Sequence, residues 1–296
     1  MDIKAYAKIN LGLDITGKRD DGYHDLRMIM QQIDLYDVVS IEAEPEIAGN
    51  EELGKINLTC SDGSLPLGEE NLAYKAAKLL FEEFKITDSI DIHIDKKIPV
   101  AAGLAGGSAD AAAVLKGINE YFGLGLSDEE LMERGVKLGA DIPFCIMGGL
   151  AYAGGIGEEL MPLGFIEGLT VLLAVPDISV STKWAYETYD EIDAGSIIHP
   201  DIDNLRAAIE MEDYGCVPEF LGNVLEYVAI PQHPEIAKIK DIMMSNGAAG
   251  ALMSGSGPSV YGLFVDMEKA ARVFDILADD GTVPEDRIYL LGFAGD

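Results

Sequence analysis

The chain has 296 residues, of which 48% are hydrophobic and 25% are charged, a composition typical of a globular protein with a substantial core. Its 52 acidic and 21 basic residues give a formal net charge of −31, which would repel nucleic acids and anionic lipid surfaces. The charge excludes polyanions as partners, and a phosphorylated ligand would need local cations around it.

Neither a targeting segment nor a membrane span is predicted. The longest apolar runs, such as residues 169–175, are far shorter than the roughly 18 residues that a span requires, and the first residues have a strand-like pattern. The three cysteines form no Cys-x-x-Cys pair, which argues against disulfides and structural zinc. We therefore expect a cytoplasmic protein, and the length predicts two domains.

The first predicted element is a strand over residues 4–15, in which apolar and polar residues alternate. Side chains two positions apart leave the same face of a strand, so Lys8 and Asn10 share the polar face and could converge on one ligand. The alternative is an ordinary solvated strand face.

A charged turn at residues 18–21 leads into Gly22-Tyr23-His24. The aromatic ring and the imidazole have no evident core to join, and stacking of a base on an aromatic ring contributes about 1–3 kcal/mol. The two rings are candidates for binding a nucleotide base, although Tyr23 could simply cover the turn.

Two further strands are predicted at residues 38–43 and 90–94. Asp91, His93 and Asp95 alternate on one face of the second. We predict that they are solvated, because no second cluster of ligand residues would complete a metal coordination sphere.

Residues 99–115 place three glycines and a serine directly before an alanine-rich run with helical periodicity. Gly103, Gly106 and Gly107 allow the backbone to approach an anion closely, and the helix that follows supplies unpaired N–H groups and the positive end of a dipole. The pattern fits neither a Walker A loop nor the Rossmann fingerprint. It predicts a third kind of phosphate-binding loop.

Ser108 and Asp110 are predicted to lie in the first turn of that helix. Basic residues that could offset the acidic charge are frequent in the first third of the chain. They are Lys4, Lys8, Lys18, Arg19, Lys96 and Lys97.

Capping signals mark two other helices, one starting after Asn71 and one where Ser127 and Glu130 form a capping box. Asp141 directly precedes Ile142-Pro143, where a carboxylate commonly caps a helix. It could equally accept a proton from a substrate hydroxyl, with Lys8 as the cation that keeps it ionised.

Five glycines among residues 148–157 indicate a change of domain, and we place the boundary at residue 158, giving domains 1–158 and 159–296. The second domain is predicted to contain a strand at 169–175, helices between 183 and 246, strands at 251–253 and 259–264, a helix around 270–277 and a strand at 288–293. Strands and helices mix without regular β-α-β repetition, which favours the α+β class.

The turn Ser254-Gly255-Ser256-Gly257 joins two of these strands and could be a plain hairpin turn. Because it is the second loop rich in glycine and serine, it suggests a second phosphate contact. On local grounds, Trp184 and Tyr186 are interpreted as helix packing residues.

Three motifs together resemble those of the GHMP kinases. They are A-K-I-N-L-G-L at residues 7–13, P-x-x-x-G-L-x-G-G-S at 99–108 and S-G-S-G-P-S-V-Y at 254–261. The longer stretches 7–26 and 138–144 resemble a branch of this family that acts on a cytidine diphosphate-linked methylerythritol. The likeness extends over nearly the whole chain and is specific as a set.

The resemblance implies a two-domain α+β fold, with an N-terminal domain like ribosomal protein S5 and a ferredoxin-like C-terminal domain. It implies ATP-dependent phosphorylation of the 2-hydroxyl of that substrate in non-mevalonate isoprenoid precursor biosynthesis, with Mg²⁺ as cofactor. The partners would be small molecules, and the protein would be a monomer or a homodimer.

The resemblance also implies the residues that act on the substrate. Asp141 would be the general base, and Lys8 would orient the hydroxyl and stabilise developing charge. Asn10 would position the methylerythritol portion. The cytosine would be bound by three aromatic residues, Tyr23, His24 and Tyr186, with Trp184 as a rival for the last position.

A further set of residues would hold ATP. The loop that wraps its phosphates would consist of Pro99, Val100, Ala101, Ala102, Gly103, Leu104, Ala105, Gly106, Gly107, Ser108 and Ala109. Ser108 would also lie near Mg²⁺, and the loop would be supported by Ser254, Gly255, Ser256 and Gly257. Ala105 and Ala109 stand where many relatives have Gly and Ser, which should change loop flexibility more than the reaction.

Two other functions fit part of this pattern. A GHMP kinase for another small alcohol, such as homoserine or a mevalonate-type acid, would not need Gly22-Tyr23-His24. A nucleotide-binding regulator that has lost catalysis would not need both Lys8 and Asp141.

Overall fold

The computed structural model describes residues 1–44 and 53–294, which form two compact units. Unit 1 contains Met1–Ala7, Leu35–Val100 and Ala105–Met147. Unit 2 contains Lys8–Asp34, Ala101–Leu104 and Gly148–Asp296. The long strands β1 (Asp2–Lys18) and β2 (His24–Glu44) contribute residues to both units. The division into domains at residue 158 stays a prediction.

Unit 1 combines helices with a small mixed sheet. The end of β2 pairs antiparallel with β4 (Ser89–Asp95), which pairs parallel with β3 (Ile56–Cys60). The helices are α1 (Leu72–Phe84), α2 (Gly106–Tyr121), α3 (Asp128–Gly135) and α4 (Ile142–Met147).

The core of unit 1 lies where α1 and α2 pack together and against the sheet. The alanines of α2 allow a close approach, since they bury a helix face without bulky side chains. Both predicted caps are confirmed: Asn71 accepts a hydrogen bond from the Ala73 N–H, and Ser127 and Glu130 form a capping box. The loop before α2 is therefore held by a well-packed helix.

Unit 2 contains a four-stranded antiparallel sheet of strand order β11-β7-β10-β9. These strands are β7 (Thr170–Ala174), β9 (Gly250–Met253), β10 (Val260–Phe264) and β11 (Ile288–Leu291). Helices α8 (Pro234–Ser245) and α9 (Met267–Asp280) pack against the sheet.

The remaining elements of unit 2 surround the continuing parts of β1 and β2. They are β5 (Leu150–Gly154), β6 (Glu159–Gly164), α5 (Thr182–Tyr189), α6 (Ile202–Glu210), β8 (Gly222–Asn223) and α7 (Glu226–Gln232). In this unit β2 pairs antiparallel with β5, β5 with β6, and β1 pairs parallel with β8. The irregular order of helices and strands confirms the predicted α+β class.

The alternative interpretation of Lys8 and Asn10, an ordinary solvated face of β1, is wrong. Every residue from 7 to 15 is buried, including Lys8, Asn10 and Asp14. The physical reason is that elements distant in sequence cover the strand: β8 pairs with it at Gly12, and a Cβ on Gly12 would lie 2.5 Å from Ile202 of α6. Alternation of residue types detects a strand but cannot show what covers each face.

Sequence patterns also placed some boundaries wrongly. The helix after the glycine loop begins at Gly106, so Asp110 lies in its second turn and not its first. The short strands β3, β5, β6 and β8 were not predicted, because they are too short or too rich in glycine for a clear alternation. Over residues 1–44 and 53–294, no helix has the length and apolar character of a membrane span.

Candidate active site

Lys8 and Asn10 form a buried polar pair on β1. The Lys8 ammonium donates a 2.6 Å hydrogen bond to the Asn10 Oδ1, and the Asn10 amide donates to the Met28 sulfur at 3.4 Å. The strand is anchored here, because the Tyr261 hydroxyl donates to the Asn10 carbonyl at 2.9 Å. A buried charged group is expensive unless it is hydrogen-bonded, so this pair is a strong candidate for a functional site.

The glycine loop meets this part of β1. The Lys8 N–H donates to the Leu104 carbonyl at 3.1 Å, and the Ser254 hydroxyl donates to the Gly103 carbonyl at 3.0 Å. A Cβ on Gly255 would lie 3.5 Å from both the Lys8 ammonium and the Asn10 Oδ1. Unit 2 thus brings together parts of all three motifs that the sequence analysis singled out.

The turn between β9 and β10 is itself held by Asn223. Its side-chain amide donates to the carbonyls of Met253 and Gly255 at 2.9 and 2.7 Å, and its Oδ1 accepts from the Leu225 N–H. Sequence reasoning missed Asn223. A lone asparagine between apolar residues has no signature, and its three partners lie at sequence separations of 2, 30 and 32.

Along the loop before α2, every second residue from 101 to 105 has a left-handed backbone conformation. Ala101, Gly103 and Ala105 have φ angles of 53°, 74° and 57°, in the left-handed region that favours glycine. The first intrahelical bond of α2 runs from the Ala109 N–H to the Ala105 carbonyl, so the N–H groups of Gly106, Gly107 and Ser108 precede it. Such N–H groups at a helix start form a natural anion site.

Behind this helix start lies a buried ion cluster that we call the Lys96 triad. The Lys96 ammonium donates to Asp37 at 2.5 Å and to Asp110 at 2.8 Å, and Asp37 also accepts from the N–H groups of Lys97 and Ile98. All three side chains of the triad are at most 6% exposed. Burial raises the pKa of the Asp110 carboxyl to about 7, with Lys96 opposing the shift and Asp37 adding to it.

This shift makes a prediction about stability. Because the Asp110 pKa is raised from its ordinary value of 3.8, the folded state binds an extra proton between about pH 4 and pH 7, and stability falls as pH rises through this range. Asp110→Asn removes the titration but keeps an acceptor for Lys96. We expect the free energy of unfolding of the variant, relative to the unsubstituted chain, to rise by on the order of 2 kcal/mol between pH 5 and pH 8.

Urea denaturation at the two pH values measures this difference. Asp95→Asn is the matched control, since Asp95, the last residue of β4, is half exposed and lies 3.8 Å from the Lys97 ammonium. A relative stability of Asp110→Asn that is independent of pH would show that Asp110 does not carry the proton.

Asp141 immediately precedes α4, and its carbonyl accepts from the Cys145 N–H at 3.1 Å. A Cβ on Gly139, two residues before it, would lie 3.9 Å from the Ser108 hydroxyl. Unit 1 therefore brings the turn that carries Asp141 close to the first turn of α2.

The predicted base-binding residues lie together in unit 2, and Asp190 joins them. The His24 and Tyr186 rings stack with centroids 5.1 Å apart and planes at 29°. The His24 Nε2 lies 2.7 Å from one Asp190 oxygen, and the Lys18 ammonium donates to the other at 2.6 Å. The expectation that His24 has no core to join is wrong, since it is buried beneath Tyr186.

Tyr23 differs from His24 in its exposure. Tyr23 is 58% exposed, while its backbone is held by the Asp21 carboxylate and by the Arg19 N–H. Trp184 contacts His233 edge to face at 6.3 Å, whereas Tyr186 contacts His24. Of these two aromatic residues, Tyr186 is therefore the one that stacks on His24.

Most of the basic residues that were expected to offset the acidic charge are already paired. Lys18, Arg19, Lys96 and Lys97 each form an ion pair with an aspartate, and the Lys4 ammonium lies 4.2 Å from the centre of the Tyr36 ring.

The residues on β4 that were considered as metal ligands contact neighbouring side chains. Asp91 accepts a hydrogen bond from Asn57, and His93 contacts Thr59. Within the described ranges no group of three or more His, Cys, Asp or Glu could hold a metal ion.

Asp190, which contacts His24, was missed by sequence reasoning, although a signal existed. It follows Tyr186 by four residues at the end of α5, a spacing that places two side chains on one helix face.

The family models for the GHMP kinases N terminal domain and the GHMP kinases C terminal match residues 71–149 and 194–282.

Solved structures share the fold over the whole chain. A crystal structure of 4-(cytidine 5'-diphospho)-2C-methyl-D-erythritol kinase matches with a TM-score of 0.79 and 29% identity over 100% of both chains. Homoserine kinase from Cytophaga hutchinsonii matches with a TM-score of 0.74 and 19% identity over 100% of this chain and 94% of the other. The fold is that of the GHMP kinases, which confirms the predicted fold class.

Curated proteins are more similar in sequence. The 4-diphosphocytidyl-2-C-methyl-D-erythritol kinase of Clostridium beijerinckii is 47% identical over 93% of this chain and 95% of that protein. The protein of the same name from Lachnoclostridium phytofermentans is 48% identical over 93% and 91%. The chain belongs to the GHMP kinase family, in the branch of the 4-diphosphocytidyl-2-C-methyl-D-erythritol kinases.

Proposed function

We propose that this chain is an ATP-dependent kinase that phosphorylates the 2-hydroxyl of 4-diphosphocytidyl-2-C-methyl-D-erythritol, a step in non-mevalonate isoprenoid precursor biosynthesis. The observation that carries the proposal is the 47% identity, over nearly the whole length of both chains, to a relative of that name. The grouping of His24, Tyr186 and Asp190 supports it, since it supplies polar and aromatic groups suited to a nucleotide base.

Phosphoryl transfer depends mainly on positioning and on neutralising charge. We assign the Asp141 carboxylate as the general base that accepts the proton of the 2-hydroxyl. Lys8 orients that hydroxyl and stabilises the charge that develops on the transferring group. Asn10, which accepts a hydrogen bond from Lys8, positions the methylerythritol portion.

ATP is the co-substrate of the family. We assign its phosphates to the loop from Pro99 to Ala109, where the N–H groups of Gly106, Gly107 and Ser108 precede the first helical bond. The contact between Ser254 and Gly103 supports the loop from the β9–β10 turn. Backbone N–H groups therefore bind the phosphates, and the Ser254 side chain holds the loop in position.

Mg²⁺ is expected to accompany the triphosphate. It takes oxygen ligands and usually binds through one or two protein groups together with substrate phosphates and water, so a preformed three-residue cluster is not required. The Ser108 hydroxyl, in the first turn of α2, fits this chemistry. When bound, Mg²⁺ neutralises phosphate charge in a chain whose own net charge is −31.

The exposed ring of Tyr23 leads to a prediction for substrate binding. If it stacks on cytosine, Tyr23→Ala removes about 1–3 kcal/mol of binding, which raises the KM for the cytidine substrate roughly 5- to 150-fold and leaves the KM for ATP unchanged. Tyr121→Ala is the control, since Tyr121 is also an exposed aromatic residue, at 45%. Steady-state kinetics with each substrate varied in turn measures both constants, and an unchanged KM for the cytidine substrate would remove Tyr23 from the base site.

A coupled ADP-release assay with ATP and Mg²⁺ tests the proposed function. The acceptors to compare are 4-diphosphocytidyl-2-C-methyl-D-erythritol, homoserine and mevalonate. Turnover confined to the cytidine substrate is expected. Turnover of another alcohol alone would identify a kinase of different specificity, and ATP binding without any turnover would favour a regulator.

A further inference from the structure

Asp190 lies at the centre of a small cluster with His24 and Lys18, and neither Asp190 nor Lys18 has a role in the proposed function. One carboxylate oxygen contacts the His24 Nε2 at 2.7 Å and the other accepts from the Lys18 ammonium at 2.6 Å. The carboxylate side chain is 24% exposed and the imidazole 6%. Both oxygens of Asp190 therefore have a hydrogen-bond partner, which is the His24 Nε2 for one and the Lys18 ammonium for the other.

The protonation state of Asp190 determines which nitrogen of the His24 ring carries a proton. Partial burial raises the pKa of the Asp190 carboxyl, but hydrogen bonds from Lys18 and His24 outweigh it and hold that pKa below its usual value. An ionised carboxylate only accepts hydrogen bonds, so the ring atom that faces it, Nε2, carries the proton. The Lys18 ammonium balances the charge of the Asp190 carboxylate.

In a neutral imidazole one nitrogen donates and the other accepts. With the proton at Nε2, the His24 Nδ1 keeps its lone pair and is an acceptor. Cytosine presents an amino donor at position 4, whereas uracil presents a carbonyl acceptor there. An acceptor that faces position 4 of the base pairs with cytosine and repels uracil.

We propose that Asp190, held by Lys18, is a positioning residue that fixes His24 as a hydrogen-bond acceptor and so selects a cytidine over a uridine substrate. The inference rests on the proposed function, because it assumes that His24 faces the base. Tyr186, stacked on His24, restricts the plane of the ring and so the direction of its lone pair.

The protonation of His24 can be read directly in the unliganded protein. Nitrogen-15 NMR distinguishes the two neutral imidazole forms and the doubly protonated ring, and the chain has only four histidines. The His24 signals are assigned from their loss in His24→Gln. At pH 7.5 we expect Nε2 to be protonated and Nδ1 bare. A ring protonated at Nδ1, alone or together with Nε2, would overturn the inference without any use of substrate.

Kinetics tests the consequence for specificity. In Asp190→Asn, the amide can donate to Nε2 and so place the ring proton at Nδ1. We expect the ratio of kcat/KM for the cytidine substrate to that for its uridine counterpart to fall at least tenfold. The loss should lie in the KM for the cytidine substrate, with kcat and the KM for ATP changed less than threefold.

Glu187→Gln is the matched control, because Glu187 is an exposed acid on α5 whose carboxylate pairs with the Lys183 ammonium at 3.7 Å. It should leave the ratio unchanged. An unchanged ratio in a folded Asp190→Asn, with normal turnover by the unsubstituted enzyme, would overturn this inference alone. Failure of the unsubstituted enzyme to use the cytidine substrate would overturn the proposed function and the inference with it.

Discussion

Asp141→Asn is expected to lower kcat by roughly 10²- to 10⁴-fold, the usual contribution of a general base. The amide keeps the size and most of the hydrogen-bonding capacity of the side chain but cannot take up a proton. Affinity for ATP should be preserved, because the loop that we assign to the phosphates is unchanged. Turnover by ADP release and binding of a non-hydrolysable ATP analogue by calorimetry measure the two effects separately.

Asp128→Asn provides the comparison for this variant. Asp128 lies in the same unit, at the start of α3, and its exposed carboxylate is 3.7 Å from Lys116. The control should retain normal turnover. If Asp141→Asn also retained nearly normal turnover, Asp141 would have no part in the proton transfer and another group would have to accept the hydroxyl proton.

The sequence was sufficient to locate the chemistry but not to describe its surroundings. Lys8 and Asn10 were selected because of their spacing on a strand, and the structure places them beside the β9–β10 turn. Their burial could not be predicted, because the residues that cover β1 are about 190 to 210 positions away in the chain. Local alternation reports which residues share a face, while burial depends on packing between distant elements.

The partners of charged residues could not be predicted from the sequence either. Lys96 was interpreted as a cation that could offset the acidic surface, yet it is held by Asp37 and Asp110, which lie 59 and 14 positions away. In a chain with 52 acidic residues, a lysine meets carboxylates often, and only the fold decides which. Asp190 differs, because its spacing of four residues from Tyr186 was a usable signal.

The glycine loop was the clearest signal in the sequence, and its structure explains why glycine is required at one position in particular. Gly103 has a φ angle of 74°, and a Cβ there would lie 2.3 Å from the Ser254 carbonyl oxygen and 3.1 Å from that of Gly257. Backbone atoms cannot move aside as a flexible side chain can. Gly103→Ala therefore forces the loop away from the turn that braces it.

We expect Gly103→Ala to reduce the free energy of unfolding by about 3 kcal/mol or more and to raise the KM for ATP at least tenfold. Part of that loss is the strain of alanine at a positive φ, about 1–2 kcal/mol. Gly123→Ala isolates this part, because Gly123 has a φ angle of 60° and nothing within 4 Å of its would-be Cβ. Urea denaturation and ATP kinetics on both variants distinguish the backbone strain of alanine at a positive φ from the steric clash of its Cβ with the β9–β10 turn. Equal losses of stability with an unchanged KM for ATP would mean that the contact between the loop and the β9–β10 turn does not hold the phosphate site in place.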